Sequence, residues 1–261
     1  MSFETFDFVR PDQCEIDPTV AYPIENFSNS LGVPFAVIPL DLTKSDLQDL
    51  NNLLIENTCP YNPDEPDPNR CSTDLSPVYP QPKSYYQNST YRDNVEQYFK
   101  EYESLKPEPE LMSRLVDLIV KTTNKVAEIM PDALMTVSLT TYAVESGMAG
   151  DYYSWHRDGD KDDGCDGTYM FLATLKGNPT LYCTGSYDSD KDQCVPSTSI
   201  FSAPLGYGTV HKFGNLYGAY HSAPPINLQR FLLIAFITHP ECIKLDIARL
   251  NELNESYWIV T

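Results

Sequence analysis

The chain has 261 residues, 41% hydrophobic and 12% aromatic, enough to fill the core of one large domain or two small ones. Its formal net charge of −19 would repel a phosphate backbone over most of the surface, which disfavours nucleic acid and favours a small molecule, a peptide or a basic protein as partner. The longest apolar runs, such as Phe231 to Ile237, fall far short of the roughly 20 residues of a membrane-spanning helix, so no membrane partner is expected.

The N-terminus reads MSFETFDFVRPDQ, with acids and a proline where a secretory signal would carry a basic start and an apolar run. Up to about residue 40, Pro11, Pro18, Pro23, Pro34 and Pro39 interrupt short aromatic and aliphatic clusters, the pattern of an extended arm lying on a core. A first helix is predicted from Lys44 to about Asn57, capped by Thr43, with Leu47, Leu50, Leu53 and Leu54 at helical spacing. From Cys59 to Pro82 the text is CPYNPDEPDPNRCSTDLSPVYPQP, where prolines and short polar residues predict a long irregular loop. A second helix is predicted from Asp93 to about Ser104, with Asp93 and Glu96 in capping-box positions and Val95, Phe99 and Tyr102 on one face. The strongest helix runs from Glu110 to about Met130, with Leu111, Leu115, Leu118, Ile119, Val126 and Ile129 as its buried stripe.

After Pro131 the period changes. Short strand-like runs follow at Leu134 to Val144, Thr168 to Leu175, Thr180 to Cys183, Ser199 to Phe201, Thr209 to Phe213 and Phe231 to Ile237, separated by Gly, Asn, Asp and Pro, as in a β sandwich or small barrel. Helices first and strands second predict an α+β protein. We expect a single domain over 1–261: an N-terminal arm and helical support region over 1–130, the β core over 131–240, and a C-terminal helix or tail over 241–261. The seven cysteines are scattered and contain no CxxC pair, so reduced thiols and a cytoplasmic setting are expected.

The segment DYYSWHRDGD sets His156 and Asp158 two residues apart. On an extended strand these side chains share a face and can meet one metal ion. A third ligand must come from elsewhere, and His221, in AYHSAPPINLQRFLLIAF, precedes the last strand-like run. Two histidines and one carboxylate on one side of an ion leave positions for a co-substrate and dioxygen, the arrangement of non-heme Fe(II) oxygenases. Nine residues beyond His221 stands Arg230, at the start of an apolar strand, where a guanidinium is costly unless an anion meets it and its planar fork suits a carboxylate.

The order WHRD, a strand pair, GTV, HSAPP and QRFLLIAF resembles the Fe(II)/2-oxoglutarate-dependent dioxygenase superfamily over about residues 134 to 240. The resemblance implies a double-stranded β-helix (jelly-roll) core with the N-terminal helices packed against it. It implies His156, Asp158 and His221 as metal ligands and Arg230 as the cation for the far carboxylate of 2-oxoglutarate. It also implies the chemistry: Fe(II), 2-oxoglutarate and dioxygen, with release of succinate and CO2 and oxidation, commonly hydroxylation, of a small molecule or a protein or peptide side chain. Halogenating relatives lack the carboxylate ligand, and Asp158 argues against that variant.

Other residues compete for these roles. His211, in GTVHKFG, is an alternative distal ligand, but it would put Arg230 nineteen residues downstream. His239, beside Pro240, reads as a surface histidine. Lys176, at the end of MFLATLKGNP, could receive the carboxylate in place of Arg230, or stand in solvent at a strand end. Tyr142 and Tyr169 are placed to hydrogen-bond a co-substrate, although with 18 tyrosines in the chain core packing competes for both. The acidic run from Asp158 to Asp166 lacks the ligand order of an EF-hand loop and reads as a solvated loop beside the site, while Trp155 should pack on the other side of the strand from His156. Two other functions fit parts of the pattern: a 2-oxoglutarate-independent, cupin-type metal oxidase or dioxygenase, and a non-catalytic acidic interaction protein. An acidic rim would steer a cationic substrate.

Overall fold

The computed structural model describes residues 36–55, 70–77, 80–101, 107–129, 131–142, 168–188, 193–213, 220–222 and 229–238. In chain order they form β1 (Ala36–Pro39), α1 (Lys44–Asn52), β2 (Arg70–Asp74), β3 (Gln81–Pro82), α2 (Lys83–Tyr86), α3 (Ser89–Glu101) and α4 (Pro109–Ile129). The remaining elements are strands: β4 (Leu134–Tyr142), β5 (Thr168–Lys176), β6 (Leu181–Asp188), β7 (Gln193–Ser202), β8 (Tyr207–Lys212), β9 (Tyr220–Ser222) and β10 (Arg230–Thr238). All pairings among the described residues are antiparallel. The larger sheet runs β1-β8-β5-β10-β4-β2, with β3 also on β4, and a three-stranded sheet runs β7-β6-β9.

Strands β5 and β10 are apolar on both faces, which is why they occupy the centre of the larger sheet. Their alternate residues separate cleanly. Phe171, Ala173 and Leu175 join Phe231, Leu233, Ala235 and Ile237 in one core with Val137 and Leu139 of β4 and with Tyr86, Tyr91, Phe99, Leu115 and Ile119 of the helices. Met170, Leu172, Leu232 and Ile234 form a second cluster on the opposite face, with Tyr142, Phe213 and Phe236 against it. Phe99 meets Phe231 edge-on at 6.5 Å, and the buried Tyr86 hydroxyl donates to the Met135 carbonyl, so the helices are both packed and hydrogen-bonded onto this sheet. Glycine is required at Gly208 for the same packing, because a Cβ there would collide with the Phe171 ring. Prolines fall where the ladder tolerates them: Pro39 and Pro82 end edge strands, and Pro196 lies on the edge strand β7.

Several expected boundaries shift, each for a physical reason. Helix α1 starts under a Thr43–Asp46 capping box but stops at Asn52, with Leu53 extended. Tertiary partners take up the carbonyls at and just beyond its end: Lys176 Nζ donates to Asn51 O at 2.7 Å and to Leu53 O, and Gln229 Nε2 donates to Ile55 O at 2.6 Å. The long loop predicted from Cys59 to Pro82 instead contains β2 and β3, because the free edge of β4 offers a ladder that needs no apolar alternation from its partner. Helix α3 begins at Ser89, earlier than Asp93, since the Asn88 side chain accepts from Tyr91 N and supplies the cap. Its buried stripe is Tyr91, Val95, Tyr98 and Phe99; Tyr102 lies outside the described residues. Helix α4 matches its expectation within a residue, and the Asp49–Arg114 fork, at 2.6 and 3.0 Å, ties it to α1.

Candidate functional site

The second face of the larger sheet meets the small sheet. Because His211 on β8 pairs with Met170, and Leu172 pairs with Thr209, side chains of Thr209 and His211 share the face of the smaller apolar cluster. Across from them, β9 pairs with β6 so that His221 stands opposite Tyr182. The His211 and His221 rings are 5.2 Å apart between centroids, and Tyr182 lies 5.5 Å from His211 and 6.0 Å from His221. All three are at most 5% exposed, so an imidazole from each sheet meets in the protein interior.

Tyr182 crosses the space between the sheets. Its hydroxyl lies 2.5 Å from Thr209 Oγ1, and Thr209 itself donates to the Leu172 carbonyl at 3.1 Å. A threonine hydroxyl has one proton, so Tyr182 is the donor of the first bond and the relay has a fixed direction.

Two residues before Tyr182 is Thr180, and there the site acquires its cation. Arg230 Nη2 donates to Thr180 Oγ1 at 2.6 Å and its Nε to the Asn178 carbonyl at 2.9 Å, while its guanidinium carbon lies 5.8 Å from the centroid of the Tyr142 ring. Arg230 and Tyr142 are direct cross-strand partners, and Arg230 is 3% exposed. The turn that carries Asn178 depends on Gly177, whose φ of +86° favours glycine and where a Cβ would run into Gln229 O and Arg230 Cα. Thr180 and Tyr182 thus form a row about 7 Å long, two residues of extended chain, from the arginine to the histidine pair.

Beside this row lies a small cleft of about 10 Å³, room for about one water, lined by Leu172, Thr174, Pro179, Thr180, Tyr182, Ala203, Tyr207 and Thr209. Thr174 Oγ1 is buried there with no hydrogen-bond partner among the described residues.

The placements sort the competing residues. A β-bulge between Phe231 and Leu232 decides the place of Lys176: Leu232 faces Thr174, but Phe231 faces Lys176. An unbulged ladder would have set Lys176 opposite Arg230 on the inner face; the bulge turns it to the helix side, where it holds the α1 carbonyls. Burial lowers its pKa from the ordinary lysine value. Lys176 is therefore neither beside Arg230 nor a strand-end lysine in solvent. Tyr169 packs in the helix-side core, whereas Tyr142 stands by Arg230. His156 and Asp158 lie outside the described residues, as do Trp155, His239, the acidic run to Asp166 and the stretch 241–261. Thr174, Thr180, Tyr182 and Thr209 escaped sequence reasoning, although the two-residue spacing within PTLYC and ATLK was the signal available once those runs were read as strands.

No family model and no curated protein matches the sequence. Similar solved structures include the non-heme alpha-ketoglutarate-dependent epimerase SnoN from nogalamycin biosynthesis, at TM-score 0.41 and 10% identity over 85% of this chain and 84% of that one. EvdO2 from Micromonospora carbonacea var. aurantiaca gives TM-score 0.42 and 13% identity over 84% and 93%, and a putative oxygenase from Shewanella oneidensis gives 0.41 and 14% over 88% and 94%. Likeness at this level leaves the functional reading to the residues themselves.

Proposed function

We propose that this chain is a non-heme Fe(II)- and 2-oxoglutarate-dependent oxygenase acting on a small molecule or a peptide or protein side chain. The carrying observation is that His221 and Arg230, paired by the sequence pattern, both face the interior between the sheets and are joined by the Thr180–Tyr182 row. The strand order β8-β5-β10-β4 against β7-β6-β9 interleaves early and late strands as a jelly roll does, which supports a double-stranded β-helix core over 131–240 with residues 1–130 as its support.

In this reading His221 would hold the metal with His156 and Asp158, a donor set suited to Fe(II). The bound ion and 2-oxoglutarate would supply oxidation of a C–H bond by dioxygen, coupled to decarboxylation. The chain's own residues bind and orient. Arg230 would receive the far carboxylate of 2-oxoglutarate, its fork aimed by the Asn178 carbonyl and Thr180 and its plane steadied by Tyr142. Thr174 would offer its hydroxyl from the adjacent strand. Tyr182, Leu172 and Leu232 would keep water from the row. The charge of −19 favours a cationic substrate.

The nearness of His211 to His221 supports a second reading, a metal oxidase that uses no 2-oxoglutarate and takes His211 as a ligand. Metal content of the purified chain and of two variants separates the ligand sets. His221→Ala is expected to lose bound iron and His211→Ala to keep it, with succinate formed in proportion to 2-oxoglutarate consumed. Iron retained by His221→Ala and lost by His211→Ala, with no succinate, would establish the second reading instead.

A further inference from the structure

We propose that Lys176 and Gln229, on the helix side of the larger sheet, are positioning residues that aim Arg230 at its carboxylate; the proposal rests on the reading of Arg230 as the carboxylate receptor. Both side chains are fastened to one short stretch at the end of α1. Lys176 Nζ donates to Asn51 O at 2.7 Å and to Leu53 O, and Gln229 Nε2 donates to Ile55 O at 2.6 Å. That stretch is a firm anchor, because Leu53 and Ile55 are buried in the helix-side core. Helix α1 has no basic residue in its last turn, and the Lys176 ammonium supplies from β5 the positive charge that a helix C-terminus favours.

The backbone carries this hold across to the inner face. Gln229 is the chain neighbour of Arg230, and Lys176 is followed by the Gly177–Asn178 turn, whose Asn178 carbonyl accepts from Arg230 Nε at 2.9 Å. The two backbones touch there, since a Cβ on Gly177 would run into Gln229 O and Arg230 Cα. The root of the arginine is thus tied down through Gln229, and the carbonyl that receives its guanidinium through Lys176. The bulge between Phe231 and Leu232 makes this possible, because it puts Lys176 on the helix side directly before the turn. A guanidinium that meets a carboxylate with both prongs is sensitive to the direction of its fork, so loss of either tie should weaken that contact and leave the metal end of the site alone. The Phe231 ring takes no part in these bonds: it packs on Phe99.

The test uses the full chain loaded with Mn(II) under anaerobic conditions, so that binding is read without turnover. It compares 2-oxoglutarate with 2-oxobutanoate, which keeps the 2-oxo acid group and lacks the far carboxylate, and dissociation constants are measured by calorimetry. The wild type is expected to prefer 2-oxoglutarate by at least about tenfold. Lys176→Met, which keeps the stem and removes the donors, should weaken 2-oxoglutarate by about tenfold and leave 2-oxobutanoate within about threefold. Lys176→Arg, which can still donate to the carbonyls at the end of α1, should restore most of the lost affinity. In an Arg230→Ala background Lys176→Met should have no further effect on 2-oxoglutarate, because its effect runs through the arginine. Gln229→Leu serves if Lys176→Met does not fold, with a smaller change in the same direction. A merely structural role would weaken both acids alike. That result, or an unchanged 2-oxoglutarate affinity in the folded Met or Leu variant, overturns the positioning role alone; a wild type with no preference for 2-oxoglutarate overturns the Arg230 reading and the positioning role with it.

Discussion

The two faces of the larger sheet are built from the same strands and do different work. Toward the helices, β5 and β10 present Phe171, Ala173, Leu175, Phe231, Leu233 and Ala235, an apolar surface buried under α3 and α4. Toward the small sheet, the intervening positions present Thr174, Arg230, Leu232, Leu172 and Met170, and the flanking strands add Tyr142, Thr209 and His211. Alternation with period two lets one strand pack against the helices with its odd residues and line the candidate site with its even ones. The bulge at Phe231/Leu232 is the exception that protects this division, since it assigns one of two neighbouring cations, Lys176, to the helix side and leaves Arg230 on the inner side.

Three substitutions test the division. The largest effect belongs to the helix side: Phe231→Ala should cost about 3 to 5 kcal/mol of stability, read from chemical denaturation, while the folded chain's affinity for 2-oxoglutarate stays unchanged. A change in that affinity would mean that the two faces are not independent. On the inner side, Arg230→Ala should weaken 2-oxoglutarate binding to the metal-loaded chain by about 2 to 5 kcal/mol, the scale for truncating one partner of a buried charge pair. Affinity within threefold of wild type would remove Arg230 from the site. The smallest effect has opposite signs in two measurements. Thr174→Val replaces a buried hydroxyl that has no partner among the described residues, so stability should rise by about 1 kcal/mol while 2-oxoglutarate affinity falls. A loss of stability would show that Thr174 supports the fold and not a ligand.

Much of this division was legible in the sequence. The strongly periodic α4 and the apolar runs of β5 and β10 were placed within a residue or two, because burial there is dictated by the side chains themselves. The early end of α1 and the strands β2 and β3 were not legible, because they depend on partners distant in the chain: Lys176 and Gln229 for the α1 carbonyls, and the edge of β4 for RCSTD. In the site, the step from His221 to Arg230 could be read, since residue type and chain order carry it, whereas His156 and Asp158 lie outside the described residues. Which of Arg230 and Lys176 faces the inner side could not, because it turns on a one-residue bulge, and Tyr182 came into view only once β6 and β9 were paired.

Anaerobic titration of the purified chain with Fe(II) and 2-oxoglutarate asks whether the inner face holds both together. A weak visible charge-transfer absorption is expected when 2-oxoglutarate is added to the Fe(II)-loaded chain, and its loss is expected in Arg230→Ala at the same ligand concentration. A wild-type chain that binds Fe(II) but develops no such absorption at saturating 2-oxoglutarate would show that the inner face does not hold both together.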